Sequence, residues 1–497
     1  MSSGGVSRGG RPPRDPPGLR SGARGRRTPL LGRLLAGRFS QLAARFSWGL
    51  ADQAMSSLTN SAMSIYIARE LGATQFGAFS LAYVSYSFAL NASRGLATDP
   101  LLVRFSGAEL PAWKRAVASC TGTATLTGLL TGVCALIAAA ALSGTTRMAF
   151  LALGLTLPGL LLQDSWRYSF FALGRGAQAL INDTIWALTM IPALVILHVT
   201  HHQTVFAFVL SWGLAATVAA CVGPFQAHVM PRLSRGVDWV KRQRDLSPRY
   251  LAENTTNSGA SQLRLYGVGA VAGLAAVGYV QETYLLQGPF MVIFMGISLV
   301  TVPEAARALR RSPGHLRLYS LGVGAVLAAG ALVWGIILLV AMPRGLGFLL
   351  LGAGKWHSAY ALVPPLTVAV MGAGFISGAS AGLHALGAAR RSLRAMVLAS
   401  VLYLGLGLAG AIMGGATGTL QGTAIATWAG ALLWWWELNS ELRKASQPGK
   451  HRAPQPMRTN RRRKDDLGTA AERRATGLQR SQLPRGVHRG AAGAELR

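Results

Sequence analysis

Residues Phe46–Arg104 read FSWGLADQAMSSLTNSAMSIYIARELGATQFGAFSLAYVSYSFALNASRGLATDPLLVR, and the fold turns on how this stretch is read. It holds two segments of about 20 residues, the length an α-helix needs to cross the hydrocarbon of a bilayer. A short connection, Arg69–Gln75, joins them. Both are too polar to face lipid: Asp52, Gln53, Asn60, Asn91 and Arg94 fall at or near hydrocarbon depth. A charge there costs about 2.5–3.5 kcal/mol even on the lenient insertion scale, so such residues turn toward a bundle interior or a wet cavity. Two helices lining a polar path through a membrane are expected.

The remainder of the 497-residue chain is built alike. It is 51% hydrophobic and 13% charged, with mean hydropathy +0.34, whereas a soluble domain carries about 25% charged residues. Apolar runs of spanning length recur, which makes the chain an all-α polytopic membrane protein. Its formal charge of +31 lies mostly in the two tails and in alternate loops. Such a pattern reflects the cytoplasmic excess of Lys and Arg and suits anionic membrane lipids at the basic tails, not nucleic acid. Cys120, Cys134 and Cys221 fall inside expected spans without metal-ligand spacing, and His198, His201 and His202 share an outer turn without acidic partners. No metal or other cofactor is expected. Leu349 stands where a phosphate loop needs its first glycine, and Trp356 where it needs Ser or Thr. The first 38 residues show no apolar core of a secretory signal.

Twelve transmembrane helices are expected, at about 46–68, 76–100, 117–142, 148–172, 177–197, 204–222, 250–272, 279–303, 318–341, 359–387, 396–413 and 418–437. With a cytoplasmic N-terminus, inner connections collect 18 Lys and Arg, from Arg104 to Arg394, and outer ones only Arg69, Arg147, Arg344 and Lys355. That bias puts both termini in the cytoplasm. The expected domains are a disordered basic cytoplasmic leader over 1–45, an N-terminal six-helix bundle over 46–222, a basic cytoplasmic linker over 223–249, a C-terminal six-helix bundle over 250–438, and a basic disordered cytoplasmic tail over 439–497.

The seventh span resembles the first. At an offset of 201 residues Leu50-Ala51-Asp52 meets Leu251-Ala252-Glu253, Gly72 meets Gly273, Gly77 meets Gly278 and Tyr83 meets Tyr284. Six spans separate the copies, so the bundles enter the membrane in the same direction, as parallel repeats with the substrate handled between them. Asp52 and Glu253, matched across the repeat, are candidates to bind a coupling proton or sodium ion, and Asp183 is a third candidate.

The run Arg69-Glu-Leu-Gly-Ala-Thr-Gln-Phe-Gly77 resembles the link between the first two helices of bacterial polysaccharide flippases, the Wzx-like members of the multidrug/oligosaccharidyl-lipid/polysaccharide exporter superfamily. Thr74 stands where that link usually has proline. Gly95-Leu96 with Arg104, and Leu349–Trp356, are similar to two further segments of the family. The resemblance covers roughly residues 45–440. It implies two bundles around a central cavity, alternating access and no covalent chemistry. It also implies movement of a polyprenyl-pyrophosphate-linked oligosaccharide across the bacterial cytoplasmic membrane for cell-surface polysaccharide, in contact with a glycan polymerase machinery. A cation-coupled drug exporter or a peptidoglycan-precursor flippase is the alternative within the superfamily. A membrane glycan ligase or a scaffold is the alternative outside it. On the flippase reading Arg94 and Arg264 are the candidates to bind the anionic oxygens of the pyrophosphate, since a guanidinium presents paired donors. Asn60, Asn91 and Gln262 are the accompanying polar lining. Asp164 and Arg167, three residues apart, are expected to form a local ion pair.

Overall fold

The computed structural model describes Trp48 and residues 51–445. The leader 1–45, and the tail from 446, lie outside the described residues. Those described are helical throughout, without a strand. This is the outcome bilayer hydrocarbon dictates, since every backbone N–H and C=O there must be satisfied within its own segment.

Helix α1 covers 51–70. Then follow α2 (Ala73–Ser93), a π-turn (Arg94–Thr98) and α3 (Asp99–Phe105), which run on as one rod. The next four are α4 (Leu110–Ala141), α5 (Gly144–Ala172), α6 (Gly176–Val199) and α7 (Val205–Ala227). A 3-10 turn (Leu233–Arg235) and the short α8 (Gly236–Arg242) lead to α9 (Ser247–Leu286), α10 (Gly288–Arg311) and α11 (Pro313–Ala341). The last described helices are α12 (Gly347–Leu351), α13 (Trp356–Ala385) and α14 (Ala389–Ala445). Nine helical segments among the described residues are long and apolar enough to cross a membrane. Helices α1 and α2 are not among the nine, and they are the stretch whose polar residues stood out in the sequence. The segment Ala389–Lys444 has 56 residues, about 84 Å of helix at 1.5 Å per residue. It breaks at Gly414 and Gly415, where the dihedrals leave the helical region, between the two expected final spans. Residues through Asn439 form one unit, and the turns from Ser440 form another that carries a Glu441–Lys444 pair.

The expected boundary between the seventh and eighth spans shifts. Gly273, at φ 83°, breaks α9, and the helix restarts at once; the apolar run Ala275–Val280 belongs to it and not to a loop. The stretch 223–249 differs from a plain linker. Its 3-10 turn and α8 lie on α4, with Arg232 N–H donating to Ala118 O at 2.8 Å and Thr123 Oγ1 donating to Gly236 O at 3.0 Å.

Helix α2 packs along α9 for much of its length, and glycine sets the closest approach. A Cβ built on Gly77 would overlap the carbonyl oxygen of Leu274, and one on Gly278 would overlap that of Ala73. Lower on the same seam, a Cβ on Gly95 would lie 2.5 Å from Leu251 N. Pro100 cannot donate to the carbonyl four residues back, and Ser247 Oγ donates to that oxygen, on Leu96, at 3.1 Å. The apolar core runs across this seam from Phe76, Phe208 and Trp212 to Leu265, Val277 and Leu338. A second core, around Trp113, Trp166, Phe170 and Trp239, closes the end where α3, α4 and α8 meet.

Candidate functional site

Three polar residues of the first stretch, Asp52, Gln53 and Arg94, meet a buried charge cluster among α1, α2, α5 and α6. Arg167, 8% exposed, is its centre. Its Nε donates to Asp52 Oδ2 at 2.8 Å and lies 3.2 Å from Asp183 Oδ2. Its Nη2 lies 2.7 Å from Asp52 Oδ2 and donates to Gln53 Oε1 at 3.3 Å. Asp52 is wholly buried. Gln163 Nε2 donates to Asp183 Oδ1 at 2.8 Å, and Asn182 Nδ2 donates to Ala219 O and Gln226 Oε1. The cluster continues at Asp164, which accepts from Arg94 Nε at 3.0 Å and Nη2 at 2.7 Å. This is the two-pronged geometry that planar guanidinium and carboxylate favour. The Arg94 guanidinium also lies 4.9 Å from the centre of the Tyr168 ring.

Two readings change here. Asp164 and Arg167 are not chiefly each other's partners: at 4.0 Å theirs is the longest of Arg167's ion pairs, because Asp52 and Asp183 reach it from facing helices. Arg167, counted above with the cytoplasmic charges, is a core residue. Asp183, isolated in the sequence, is joined to Asp52 through Arg167.

Arg264 stands differently. It is 3% exposed and has no carboxylate within 4.0 Å among the described residues. Nη1 donates to Thr423 Oγ1 and Nη2 to Tyr284 Oη, both at 3.4 Å, and Nε is buried without a partner. The Tyr403 ring lies 4.7 Å from the guanidinium carbon. Gly407 leaves room for the side chain, since a Cβ there would sit 2.7 Å from Arg264 Cδ. Tyr403, Ser261, Ser400 and Trp434 also line a cavity of about 310 Å³.

Among the other candidates, Gln262 is 7% exposed with Oε1 unpartnered, and lines a cleft of about 780 Å³ whose walls come from α2, α4 and α5 on one side and α9 and α14 on the other. The cleft is apolar apart from that residue and a few hydroxyls, Ser85 and Tyr266 hydrogen-bonding to each other on its wall. Asn60 is half-buried and donates to Ser56 O of its own helix at 2.9 Å. Asn91 is half-buried beside Asn254, which donates to Asn91 O at 3.4 Å and Asp99 Oδ2 at 2.8 Å. Glu253 is exposed, so burial does not reproduce its sequence match with Asp52. The described residues include no group of three His, Cys, Asp or Glu placed to hold a metal.

Three groups escaped the sequence reading. Glu282, 2% exposed, carries a buried Oε2 without a hydrogen-bond partner; a lone acid in an apolar run was the available signal. Glu437, wholly buried, pairs with Arg391 at 2.6 Å and Arg394 at 3.6 Å, although it follows three tryptophans that mark a helix end. Lys355 lies in a loop, yet its Nζ donates to the carbonyls of Arg69, Glu70 and Leu71 at 2.5, 3.2 and 3.1 Å. It thus caps the end of α1, where the last carbonyls have no partner within their own helix. Arg69 Nη1 returns the contact to Leu349 O at 2.7 Å. Replacing Lys355 by methionine is expected to lower stability by about 1.5–3 kcal/mol, the worth of hydrogen bonds to a charged group. Lys355→Arg should recover part of the loss, both being read in thermal melts of the detergent-solubilised protein.

An all-helical bundle with multiple apolar spans and charges buried between the helices is the architecture of a multi-pass membrane protein. An inward-facing multidrug-resistance MATE-family transporter of the MOP superfamily superposes with a TM-score of 0.61 at 15% identity, over 80% of this chain and 100% of the other. Lipid II flippase MurJ, in an inward closed conformation, gives 0.59 at 12% identity, over 81% and 90%. No protein-family profile and no curated protein sequence matches the chain.

Proposed function

We propose that this chain is a flippase that carries a polyprenyl-pyrophosphate-linked oligosaccharide across the cytoplasmic membrane of a bacterium for cell-surface polysaccharide, by alternating access. The observation that carries the reading is Arg264. A buried cation costs several kcal/mol unless it is paired, and hydroxyls and aromatic faces compensate it only in part. A guanidinium held this way retains donors for an incoming anion such as pyrophosphate. The apolar cleft with Gln262 on its wall suits an amphiphilic cargo whose lipid tail stays among apolar side chains.

The architecture we infer is twelve spans in two parallel six-helix repeats, 46–222 and 250–438, with cytoplasmic termini. The interlocking of Gly77 with Leu274 and of Gly278 with Ala73 supports it, since the 201-residue offset relates the two contacts as a pseudo-twofold axis would.

The Asp52–Arg167–Asp183 cluster is the proposed coupling site. Three carboxylates, Asp52, Asp164 and Asp183, face two guanidiniums, Arg94 and Arg167. One negative charge is left over, and a proton or sodium ion balances it. On this reading Arg94 belongs to the coupling cluster more than to substrate contact, because its donors already engage Asp164.

A second reading, a drug exporter, is favoured by the apolar character of the cleft. One experiment separates the two. Removing the gene from its bacterium should accumulate lipid-linked glycan on the inner leaflet and strip surface polymer, with drug susceptibility unchanged. Normal surface polymer together with increased drug susceptibility would reverse the assignment.

A further inference from the structure

A further cavity, of about 240 Å³, lies where the end of α3, the first turns of α4 and α8 meet. Arg115, Arg235 and Arg242 line it, with Gln243, Trp239 and Ser119. Each arginine is exposed, and none forms an ion pair with a carboxylate among the described residues. The acids nearest in sequence, Glu109, Asp238 and Asp245, form no ion pair with these three arginines. Asp245 is taken by Arg104, whose Nη1 also donates to Gln243 Oε1 at 2.6 Å. Asp238 offers its backbone carbonyl, not its carboxylate, to Arg242 Nε at 3.2 Å.

The cavity is built into the fold and is not a chance gathering of loop charges. Trp239, 2% exposed, lines the cavity with its ring centre 5.7 Å from that of Phe105, the two rings tilted by 35°. Gln243 is 5% exposed, with its carbonyl fixed by Arg104. The turn that carries Arg235 is seated on α4, where a Cβ on Gly122 would overlap the carbonyl of Arg232.

Three arginines that line one cavity and form no ion pair among the described residues define an anion site, and its level in the membrane selects the anion. Arg115 is in the second turn of α4, a span of 32 residues, so the cavity sits where headgroups lie. Leu233 and Val237 are 42% and 58% exposed beside Arg235 and suit contact with acyl chains. Basic pockets at the cytoplasmic ends of transmembrane helices bind anionic headgroups, each Lys or Arg near the surface adding about 1 kcal/mol. We propose that this cavity is a binding site for the phosphate headgroup of an anionic phospholipid of the cytoplasmic leaflet. It is independent of the substrate path. The tail beyond residue 445 is itself strongly basic.

The test uses the full-length protein purified in a neutral detergent. Phosphatidylglycerol, phosphatidylcholine and inorganic phosphate are each titrated, and retained lipid is counted by native mass spectrometry. The expected result is that phosphatidylglycerol is retained and phosphatidylcholine is not, with retention falling as salt screens the charges. Neutralising one arginine should weaken retention about fivefold. Arg115→Gln, Arg235→Gln and Arg242→Gln together should abolish it, while the three lysine substitutions together keep most of it. Arg461→Gln, Arg462→Gln and Arg463→Gln in the tail should leave it unchanged. If the triple glutamine variant does not fold, Arg235→Gln alone is read, since that side chain is exposed. Equal retention in the glutamine variants and the wild type overturns the site. Displacement of the lipid by equimolar inorganic phosphate overturns the assignment to a lipid.

Discussion

Replacing Arg167 by leucine is expected to lower the melting temperature more than any other single change in the N-terminal half. The guanidinium holds Asp52 at 2.7 Å and Asp183 at 3.2 Å, and all three side chains are at least nine-tenths buried. Removing the shared cation leaves two carboxylates facing each other out of water. Breaking a buried pair in this way costs about 3–5 kcal/mol, or on the order of 10 °C in a melt. Arg167→Lys should recover little, because the compact ammonium lacks the planar, fixed array of donors that meets Asp52, Asp183 and Gln53 together. Adding Asp52→Leu to Arg167→Leu should recover more than half of the loss, since it removes a stranded charge instead of adding a contact. A melt of Arg167→Leu within about 2 °C of the wild type would mean that these carboxylates are hydrated in the native protein, and the cluster would lose its standing as a buried unit.

The second large effect is steric. Gly77→Leu places a side chain where the carbonyl of Leu274 lies, and Gly278→Leu does the same to Ala73. The obstructing atoms are backbone, so no rotamer change relieves them and α2 must part from α9. Overpacking of this kind costs about 1–3 kcal/mol and more when it moves backbone. Each variant should therefore melt several degrees lower and lose most of its transport. The two should also be non-additive, because either one alone opens the same contact. Gly72→Leu is the control: a Cβ there meets nothing within 4 Å, and it should behave as wild type. Equal tolerance of leucine at positions 72 and 77 would show that α2 and α9 do not meet this closely in the membrane.

Much of the fold was legible because hydrocarbon permits little else. Apolar run length pointed to most of the long helices, while α1 and α2 are not among the nine segments apolar enough to span, and the breaks at Gly273 and Gly414 became visible only in the backbone dihedrals. In the stretch Phe46–Arg104, Asp52 is wholly buried and Arg94 is paired with Asp164, while Gln53 is exposed. Partner identity was not legible. Asp52 and Arg167 are 115 positions apart, and helical spacing reports only neighbours on one helix. The sequence therefore offered Asp164 to Arg167, while the packing of α1, α2, α5 and α6 gave it Asp52 and Asp183 instead. Glu253 shows the same limit from the other side: its match with Asp52 concerns position in a repeat, and exposure depends on what packs against it. Arg264 stood out as a charge within an apolar run, but its isolation from carboxylates became visible only with Tyr284, Tyr403 and Thr423 around it.

The role of Arg264 is best measured by flipping in proteoliposomes. Purified protein is reconstituted with a fluorescent polyprenyl-pyrophosphate disaccharide, and the fraction reaching the opposite leaflet is followed with a membrane-impermeant quencher. The wild type should move the lipid well above protein-free vesicles. Arg264→Ala should reduce the rate at least about tenfold, the loss of one charge-assisted hydrogen bond, while melting near wild type, and Arg264→Lys should fall between. Wild-type rates in Arg264→Ala, or a wild type no faster than empty vesicles, would remove Arg264 as an anion site or the chain as a flippase of this lipid.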